Sequence, residues 1–504
     1  MPNKYITTHF NNHFTKIKQM TKKGWVKCKL VTSIQKNTES VVPTFDLRRT
    51  LNRIGLLMLC FTILTSVISC KRESIYDNYV VKTVVPTGDE KYLNEPSDFI
   101  FNQNVLHTFE LKIPTSEIDR IDADPVAENY VEGALHFNGE IVSAVGIRYK
   151  GSIGAFVGSV SGNDWANPTG HKTATKLSLK IKINWKDSSR RFYDLKKLQF
   201  HSQNLDPSQM HERLGYWLFR EMGVVAPRSV HARIVINGIY KGVYALTEQI
   251  DKPFIKYNYK SATGNLYKEI WPLNYLGQAH DENSFLENLK TNKGANANAN
   301  IIKSFADEIV AVPNNELREL IKKRMNLKQI ISFAVVDRMI RNDDGPFHWY
   351  CSEQGCDNHN YYWYEEPSTQ KLHLIPWDMD NAFENIGYGK RPVTRIHNKW
   401  GEISDDCQIF PSYAKGIYQK SAACDKLTAG WVSFRKEYDS LKTVFNNGPF
   451  SEEIVRAKVD EWSEQIRTAT KEASDLHSDA IDEDDWDEAL NNLKGELEHS
   501  RIDY

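Results

Sequence analysis

Alternation of apolar and polar residues predicts a series of β-strands in the N-terminal half of the chain. Residues 107–113 alternate in this way, and residues 130–138 and 140–150 predict a hairpin around Asn138-Gly139. Residues 175–184 alternate strictly, so a strand there has one apolar face and one lysine face. The apolar face carries Leu177, Leu179, Ile181 and Ile183, and the opposite face carries Lys176, Lys180 and Lys182.

Two further local signals follow in the same half. Asp206-Pro207 predicts the start of a helix that runs to about Met222, because Asp is a good N-cap and Pro suits the first turn. Gly223 is expected to end that helix. Residues 230–236 and 240–247 then predict a second hairpin, which turns at Asn237-Gly238.

The C-terminal half shows mainly the periodicity of helices. Residues 284–341 and 411–500 are predicted to be helical, and a short hairpin of residues 360–364 and 371–375 lies between them. The sequence contains no internal repeat. It therefore predicts an α+β fold with a β-rich N-terminal region and a mainly helical C-terminal region.

An apolar run at residues 54–69 follows a basic flank and ends at Ser69-Cys70. This run is short for a membrane span, and its flank and terminal Cys are typical of a bacterial lipoprotein signal. Residues 1–69 are thus a predicted leader with an over-extended start, and Cys70 is the predicted lipidation site. A signal anchor or a core helix is the alternative. Residues 70–104 predict a tether, and the expected location is the cell envelope, lipid-anchored on the periplasmic side or the cell surface.

Charge is distributed unevenly along the chain. The formal net charge is −1, but residues 1–53 alone carry +9, which leaves about −10 on residues 54–504 by difference. This balance argues against nucleic acid as a partner. Residues 471–504 are rich in acidic residues and are predicted to form a helical tail with a solvated face.

Four cysteines remain beyond the leader: Cys351, Cys356, Cys407 and Cys424. In an oxidising envelope four cysteines indicate up to two disulfides, and the close pair Cys351 and Cys356 can close one loop. A zinc site is the alternative for that pair, because His348 and His359 flank it at the spacing of zinc ligands.

Residues 341–380 contain the largest concentration of candidate catalytic and metal-binding side chains. Acidic and amide side chains stand there at the edges of apolar and aromatic runs: Asp343, Asp344, Asn360, Asp378 and Asp380. Carboxylates brought together in this way need a cation or must neutralise. Oxygen ligands of this kind suit Mg²⁺, Mn²⁺ or Ca²⁺ better than zinc. An Asp, then an Asn, then a second Asp after an apolar strand is the arrangement that phosphotransferases use to hold substrate and metal.

A resemblance to a known family supports this interpretation. The motifs that carry it are GIRYKGS at 146–152, TKLSLKIKI at 175–183, LDPSQMHERLGYWLFREMGVVAPR at 205–228, INGIYKGVYALTEQID at 236–251, GNLYKE at 264–269 and PWDMD at 376–380. In this order they resemble the CotH family of spore-coat and surface kinase-like proteins, over roughly residues 105–470. The resemblance implies a two-lobe, atypical protein-kinase-like fold. It also implies transfer of the ATP γ-phosphoryl group to Ser or Thr of an envelope or surface protein, with Mg²⁺ or Mn²⁺.

The resemblance also implies roles for the acidic residues. Asp344 matches the catalytic Asp, and Asp343 is the alternative if the match slips by one residue. Asn360 and Asp378 match metal ligands, and Asp380 is a candidate for a second metal.

Candidate nucleotide contacts come from the N-terminal half and its boundary. Lys180 or Lys176 is expected to bind phosphate, with Glu212 orienting it, although lysines on a strand are as often an exposed ladder. Lys150 beside Gly151-Ser152 is a second phosphate candidate. Two further residues each have two possible roles. Glu248 could contact adenine or pair with Arg228, and Lys268 could contact phosphate or pair with a carboxylate.

Two other classes of function are compatible with the same residues. A surface protein could use the kinase-like scaffold only for binding, because the bacterial envelope holds little ATP. A metal-dependent hydrolase could use the same carboxylates. A measurement of nucleotide binding separates the kinase from both alternatives.

Overall fold

The structure is a computed structural model, and it describes most of the chain from residue 96 onward. The described residues are 96–151, 153–156, 158–162, 164, 167–342, 344–383, 387–388, 391–392, 407–411 and 418–503. The predicted leader, the lipidation site Cys70 and Asp343 lie outside the described residues. They remain predictions from the sequence.

Seven strands close into a barrel in the N-terminal region. They are β1 (His107–Lys112), β2 (Val131–Phe137), β3 (Glu140–Tyr149), β4 (Leu179–Lys182), β5 (Lys197–His201), β6 (Ser229–Ile236) and β7 (Ile239–Thr247). Their order around the barrel is β1-β2-β3-β4-β5-β7-β6, and a parallel pairing of β1 with β6 closes it. Both predicted hairpins are confirmed, and Asn138 and Asn237 adopt the positive φ that their turns need.

The barrel interior is filled by the apolar faces that the alternation predicts. Leu177, Leu179, Ile181 and Ile183 are all buried, in the same cluster as Phe109 and Phe200. The lysines of this segment are half-buried on the outer side. Strand β4 is shorter than the predicted strand, but the assignment of its two faces is correct.

The chain enters the barrel through a short helix, α1 (Pro96–Ile100). Ile100 and Phe101 are buried in the cluster that fills the barrel. Asp98 also forms an ion pair with Arg228, with 2.6 Å between Oδ1 and Nη1. Residues 96–104, which the sequence assigns to the tether, therefore belong to the folded domain.

Three more helices accompany the barrel: α2 (Thr115–Ala123), α3 (Ile153–Phe156) and α4 (His211–Glu221). The prediction that α4 begins at Asp206 is wrong by about five residues, because Gln209 has a positive φ and interrupts the helix. Asp206 still caps this region, since its carboxylate accepts the backbone N–H groups of Gln209 and His211. Gly223, at φ 74°, follows the end of α4 as predicted.

The rest of the chain is mainly helical with short strands. Its helices are α5 (Lys252–Asn258), α6 (Glu282–Glu287), α7 (Asn300–Ala311), α8 (Leu317–Arg324), α9 (Leu327–Met339), α10 (Lys426–Val432), α11 (Arg435–Asn447), α12 (Glu452–Leu476) and α13 (Glu483–Asp503). Its strands are β8 (Leu266–Lys268), β9 (His348–Ser352), β10 (Gly355–Asp357), β11 (Tyr361–Glu366), β12 (Lys371–Pro376), β13 (Gly387–Tyr388), β14 (Arg391–Pro392), β15 (Phe410–Pro411) and β16 (Tyr418–Ser421).

Small sheets position the segments between the helices. The predicted hairpin is present as β11 and β12, and β8 pairs with the free side of β11. A second sheet has the order β10-β9-β16-β15. Cys351 is bonded to Cys356 across the β9–β10 hairpin, and Cys407 is bonded to Cys424. The two predicted disulfides are present, and the zinc alternative for the first pair is wrong because its sulfurs are joined to each other.

The helical region has its own core, rich in tryptophan. Trp363, Trp431, Trp462 and Trp486 are fully buried in it. Helix α13 contributes Trp486 and three leucines to this core, so residues 483–503 pack within the helical region. The prediction of an α+β fold, β-rich first and helical afterwards, is confirmed. Among the described residues no helix is both long and apolar enough to cross a membrane.

Candidate active site

The barrel and the helical region bring charged side chains together at the ends of three strands. Lys150 follows β3, His201 ends β5, and Glu212 lies in the first turn of α4. The Lys150 Nζ is 2.6 Å from His201 Nε2, and the other ring nitrogen of His201 contacts Glu212 Oε1. Thr247, at the end of β7, donates its hydroxyl to Glu212 Oε2. Glu212 was predicted to orient Lys180 or Lys176, whereas in the structure its carboxylate is linked through His201 to Lys150 instead.

The segment after β12 supplies the acidic side of this site. Asp378 has φ 59°, a left-handed conformation that Asp tolerates better than most residues. Its backbone N–H donates to the Tyr216 hydroxyl at 2.9 Å, and Nδ1 of His211 lies 2.9 Å from the Asp380 carbonyl oxygen. Both partners lie on α4. A Cβ on Gly215 would come within 3.0 Å of Met379, so α4 lies directly against this acidic segment.

The turn after α9 positions Asp344. The Asn360 Nδ2 donates to Asp344 Oδ2 at 2.7 Å, which joins the predicted catalytic residue to a predicted metal ligand. Gly345 is required by close packing, because a Cβ there would lie 2.6 Å from Asp337 Oδ1. Asp337 in turn accepts a hydrogen bond from Asn342 Nδ2 at 2.9 Å. The absence of a side chain at Gly345 therefore lets the turn pack against α9.

Electrostatics confirm that the acidic groups share one environment. Burial raises the pKa of Asp380 well above its usual value, and Asp378, Glu212 and Asp344 raise it further. Burial and Glu212 also raise the pKa of Asp378, against the opposing effects of His201, Lys150 and Lys268. Burial and the neighbouring acids together therefore disfavour ionisation of Asp378 and Asp380.

Two more predicted lysines lie close to these groups. Burial and the neighbouring charges of Lys150, Lys197 and Arg148 lower the pKa of Lys180 to about 7. Lys268 lies on β8, with its Nζ 3.0 Å from Glu269 Oε1, and its charge acts on both Asp378 and Lys150. Lys268 thus lies near the charged residues of the cleft. It also pairs with a carboxylate, that of Glu269, which was its alternative role.

Two predicted contacts are not brought into this group. Lys176 lies over the Tyr244 ring, 5.1 Å from its centre, and burial lowers its pKa to about 8 against the charges of Asp206 and Asp479. Glu248 accepts two hydrogen bonds from the Arg228 guanidinium, at 3.0 and 2.6 Å. The alternative for Glu248, an ion pair with Arg228, is the one observed.

Sequence reasoning missed His201 and Trp377. The Trp377 ring lies edge-on to His201 at 5.8 Å, and Lys150 Nζ lies 5.7 Å from the same ring. Strand β5 is five residues long, too short for a clear alternation, and nothing local marks its last residue as a partner of Lys150. A polar residue at the end of an apolar strand was the available signal.

The donor set fits a hard divalent cation. Asp378 and Asp380 are half-buried carboxylates whose pKa values are raised by burial first and by neighbouring acids second, and Asn360, whose backbone oxygen accepts from the Trp377 N–H, carries an amide oxygen. Within the described part of the chain, no three His, Cys, Asp or Glu side chains are already gathered closely enough to hold a metal ion.

A barrel and a helical region that meet at such a cleft are consistent with a kinase-like protein. A family model described as CotH kinase protein matches residues 147–501, more than half of the chain, and the chain belongs to that family. The predicted family is confirmed, and with it the kinase-like two-lobe fold class. The match begins within β3 and extends into α13.

One curated relative is distant. The chain is 21% identical over 235 residues to the inner spore coat protein H of Bacillus subtilis (strain 168). The aligned region covers 44% of this chain and 62% of the relative. Because the match spans less than two thirds of that protein, it carries no activity or partner over to this one.

Proposed function

We propose that this protein is a metal-dependent kinase that transfers the γ-phosphoryl group of ATP to Ser or Thr hydroxyls of an envelope or surface protein. The observation that supports it most is the convergence of Lys150, Glu212, Asp344 and Asp378 on one cleft. Phosphoryl transfer needs little covalent chemistry from the protein. It needs cations on the phosphates, a metal site and an oriented hydroxyl, and in this proposal these residues, with Asn360 and Asp380, would supply them.

Each group has a separate role in this proposal. Lys150 binds phosphate oxygens, with Lys180 and Lys268 adding positive charge nearby. Asp344 accepts a hydrogen bond from the substrate hydroxyl and orients it, and Asn360 holds Asp344 in place. Asn360, Asp378 and Asp380 would hold Mg²⁺ or Mn²⁺, which when bound neutralises phosphate charge.

The proposal includes export. A lipid on Cys70 would place the enzyme at the envelope membrane, where its protein substrate would also reside. The basic flank, the apolar run and Ser69-Cys70 are what support it. A Cys70→Ser variant should remain an unprocessed precursor in fractionation and intact-mass measurements. Normal processing of that variant would contradict the lipoprotein assignment.

The decisive experiment measures nucleotide binding and transfer together. We expect the purified mature domain to bind ATP with Mn²⁺ in titration calorimetry and to transfer label from ATP to itself or to envelope extract. Asp378→Ala should abolish metal-dependent binding and keep the fold, because its removal relieves repulsion in the metal-free protein. Asp484→Ala, on the exposed side of α13, is the matched control. Unchanged ATP binding by Asp378→Ala would overturn the metal assignment.

A further inference from the structure

His201 is enclosed and has a polar partner on each side of its ring. Its side chain is 9% exposed, with Lys150 Nζ 2.6 Å from Nε2 and Glu212 at Nδ1. The Trp377 ring stands perpendicular to it, with an angle of 89° between the planes. The ring orientation is therefore fixed by three side chains from different parts of the chain.

The chemistry of the two partners selects one tautomer. A charged ammonium group can only donate, so Nε2 must accept the hydrogen bond from Lys150. Nδ1 then carries the proton and donates it to Glu212 Oε1. The other oxygen of Glu212 accepts from Thr247, which keeps the carboxylate turned toward the histidine. The result is a chain of a cation, a neutral ring and an anion.

Lys150 depends on this ring for its link to α4. Within the described part of the chain, the hydrogen bond to His201 is the one that Lys150 Nζ makes. Burial lowers the pKa of Lys150, and Asp378 and Glu212 act against that change from a distance. A buried amine of this kind holds one direction only where an acceptor fixes it.

We propose that His201 is a positioning residue that transmits the orientation of Glu212 on α4 to the Lys150 ammonium. The inference rests on the proposed function in one respect, because it takes Lys150 to bind the nucleotide phosphates. His201 itself touches no substrate. Its contribution is to present Lys150 to the cleft in a fixed direction.

Two variants distinguish positioning from general stability. His201→Leu removes both hydrogen bonds, and we expect it to raise KM for ATP about 10- to 100-fold, the usual loss for a charge-assisted hydrogen bond. KM for the protein substrate should not change. His201→Gln supplies an acceptor and a donor at one tip and should recover a large part of the loss. Thermal melts of both variants check the fold.

A double-mutant cycle tests whether His201 acts through Lys150. His201→Leu combined with Lys150→Met should be no worse than Lys150→Met alone, because the lysine is the only route by which the histidine acts. Additive losses would overturn the proposal. A His201→Gln variant as poor as His201→Leu would also overturn it, since the acceptor and donor would then not be what matters.

A third readout needs no activity. The acylation rate of the Lys150 amine, followed by peptide mass spectrometry without nucleotide, should rise several-fold in His201→Leu, because the amine loses its acceptor. Lys176, under the same reagent, should react at an unchanged rate. An unchanged rate at Lys150 would overturn the positioning role. If Lys150 reactivity changes but Lys150→Met binds ATP normally, positioning stands and the proposed function fails.

Discussion

Two regions of this molecule gather carboxylates, and they treat them in opposite ways. At the junction of α1 with the barrel, Glu248 and Asp98 both bind the Arg228 guanidinium, with shortest N–O distances of 2.6 Å. Burial disfavours the charge on Arg228, but its acidic partners outweigh burial and raise its pKa. In the cleft, burial and neighbouring acids instead raise the pKa values of Asp378 and Asp380, although His201, Lys150 and Lys268 act against the change at Asp378.

The difference separates a carboxylate cluster that is neutralised within the fold from one whose carboxylates have raised pKa values. A carboxylate that already has its guanidinium is neutralised within the fold and has no capacity for another cation. Carboxylates held together without enough counter-charge are an unfavourable arrangement, which a fold keeps where an external cation completes the site. Glu248 was a candidate site residue by sequence, but its ion pair with Arg228 places it in the cluster that is neutralised within the fold.

The largest expected effect tests the acidic residues of the cleft, beginning with Asp344. Asp344→Asn should retain metal and ATP but lose about 10²- to 10⁴-fold in transfer rate, because Asn cannot accept a proton from the hydroxyl. The measurement is single-turnover transfer from labelled ATP. Asp343→Asn should lose much less. The reverse ranking would mean that Asp343 is the base, and full activity in both variants would require another base.

The next largest effect tests the ion-paired cluster of Arg228, Glu248 and Asp98. Arg228→Met should lower the free energy of unfolding by about 3 to 5 kcal/mol, because Glu248 is left buried without its cation. Urea denaturation of the purified domain measures this difference. Adding Glu248→Gln and Asp98→Asn to Arg228→Met removes the unpaired charges and should restore much of the stability. A loss under 1 kcal/mol in the single variant would show that the pair is not structural.

The smallest effect should have the opposite sign. Asp380→Asn should raise the free energy of unfolding of the metal-free domain by about 1 kcal/mol at neutral pH, because it relieves repulsion. The pKa of Asp380 is raised in the folded state, so the folded protein binds more protons than the unfolded one above pH 4. Stability from this group is therefore present at low pH and lost as pH rises through the folded pKa.

Comparison of pH series checks that sign. The gain from Asp380→Asn should shrink toward zero near pH 4 and grow toward neutral pH in urea denaturation. Saturating Mn²⁺ should stabilise the wild-type domain more than the variant. A variant that is less stable than wild type at pH 7.5 without metal would contradict the view that these acids repel each other.

Much of the fold could be predicted because its signals are local. The hairpins at Asn138-Gly139 and Asn237-Gly238 need only a turn that tolerates positive φ between two alternating runs. The faces of β4 follow from a period of two. The start of α4 could not be placed from the sequence. Asp206 accepts the backbone N–H of His211, five residues later, and the positive φ of Gln209 keeps the residues between them out of the helix.

The candidate site likewise has a part that local sequence signals predict and a part that they do not. The acidic candidates could be proposed from sequence because they cluster within one stretch and lie beside apolar runs, and the structure adds a hydrogen bond between Asn360 and Asp344. The lysines could not be ranked. Lys176 and Lys180 lie on the same face of one segment, yet Lys176 packs on Tyr244 while Lys180 lies near Lys150. The two lysines have different neighbours because Lys176 lies before β4 begins, whereas Lys180 lies within it.

The sequence by itself determined the α+β order, the barrel strands that carry strong turns, the acidic residues and the family. Tertiary structure alone decided which charges pair, because pairing depends on side chains far apart in the chain. Glu248 meets Arg228 across the β6–β7 hairpin, and the hydrogen-bonded link from Lys150 to Glu212 runs through His201. Such contacts are fixed by the closure of the barrel and the packing of α4, and no local pattern encodes either.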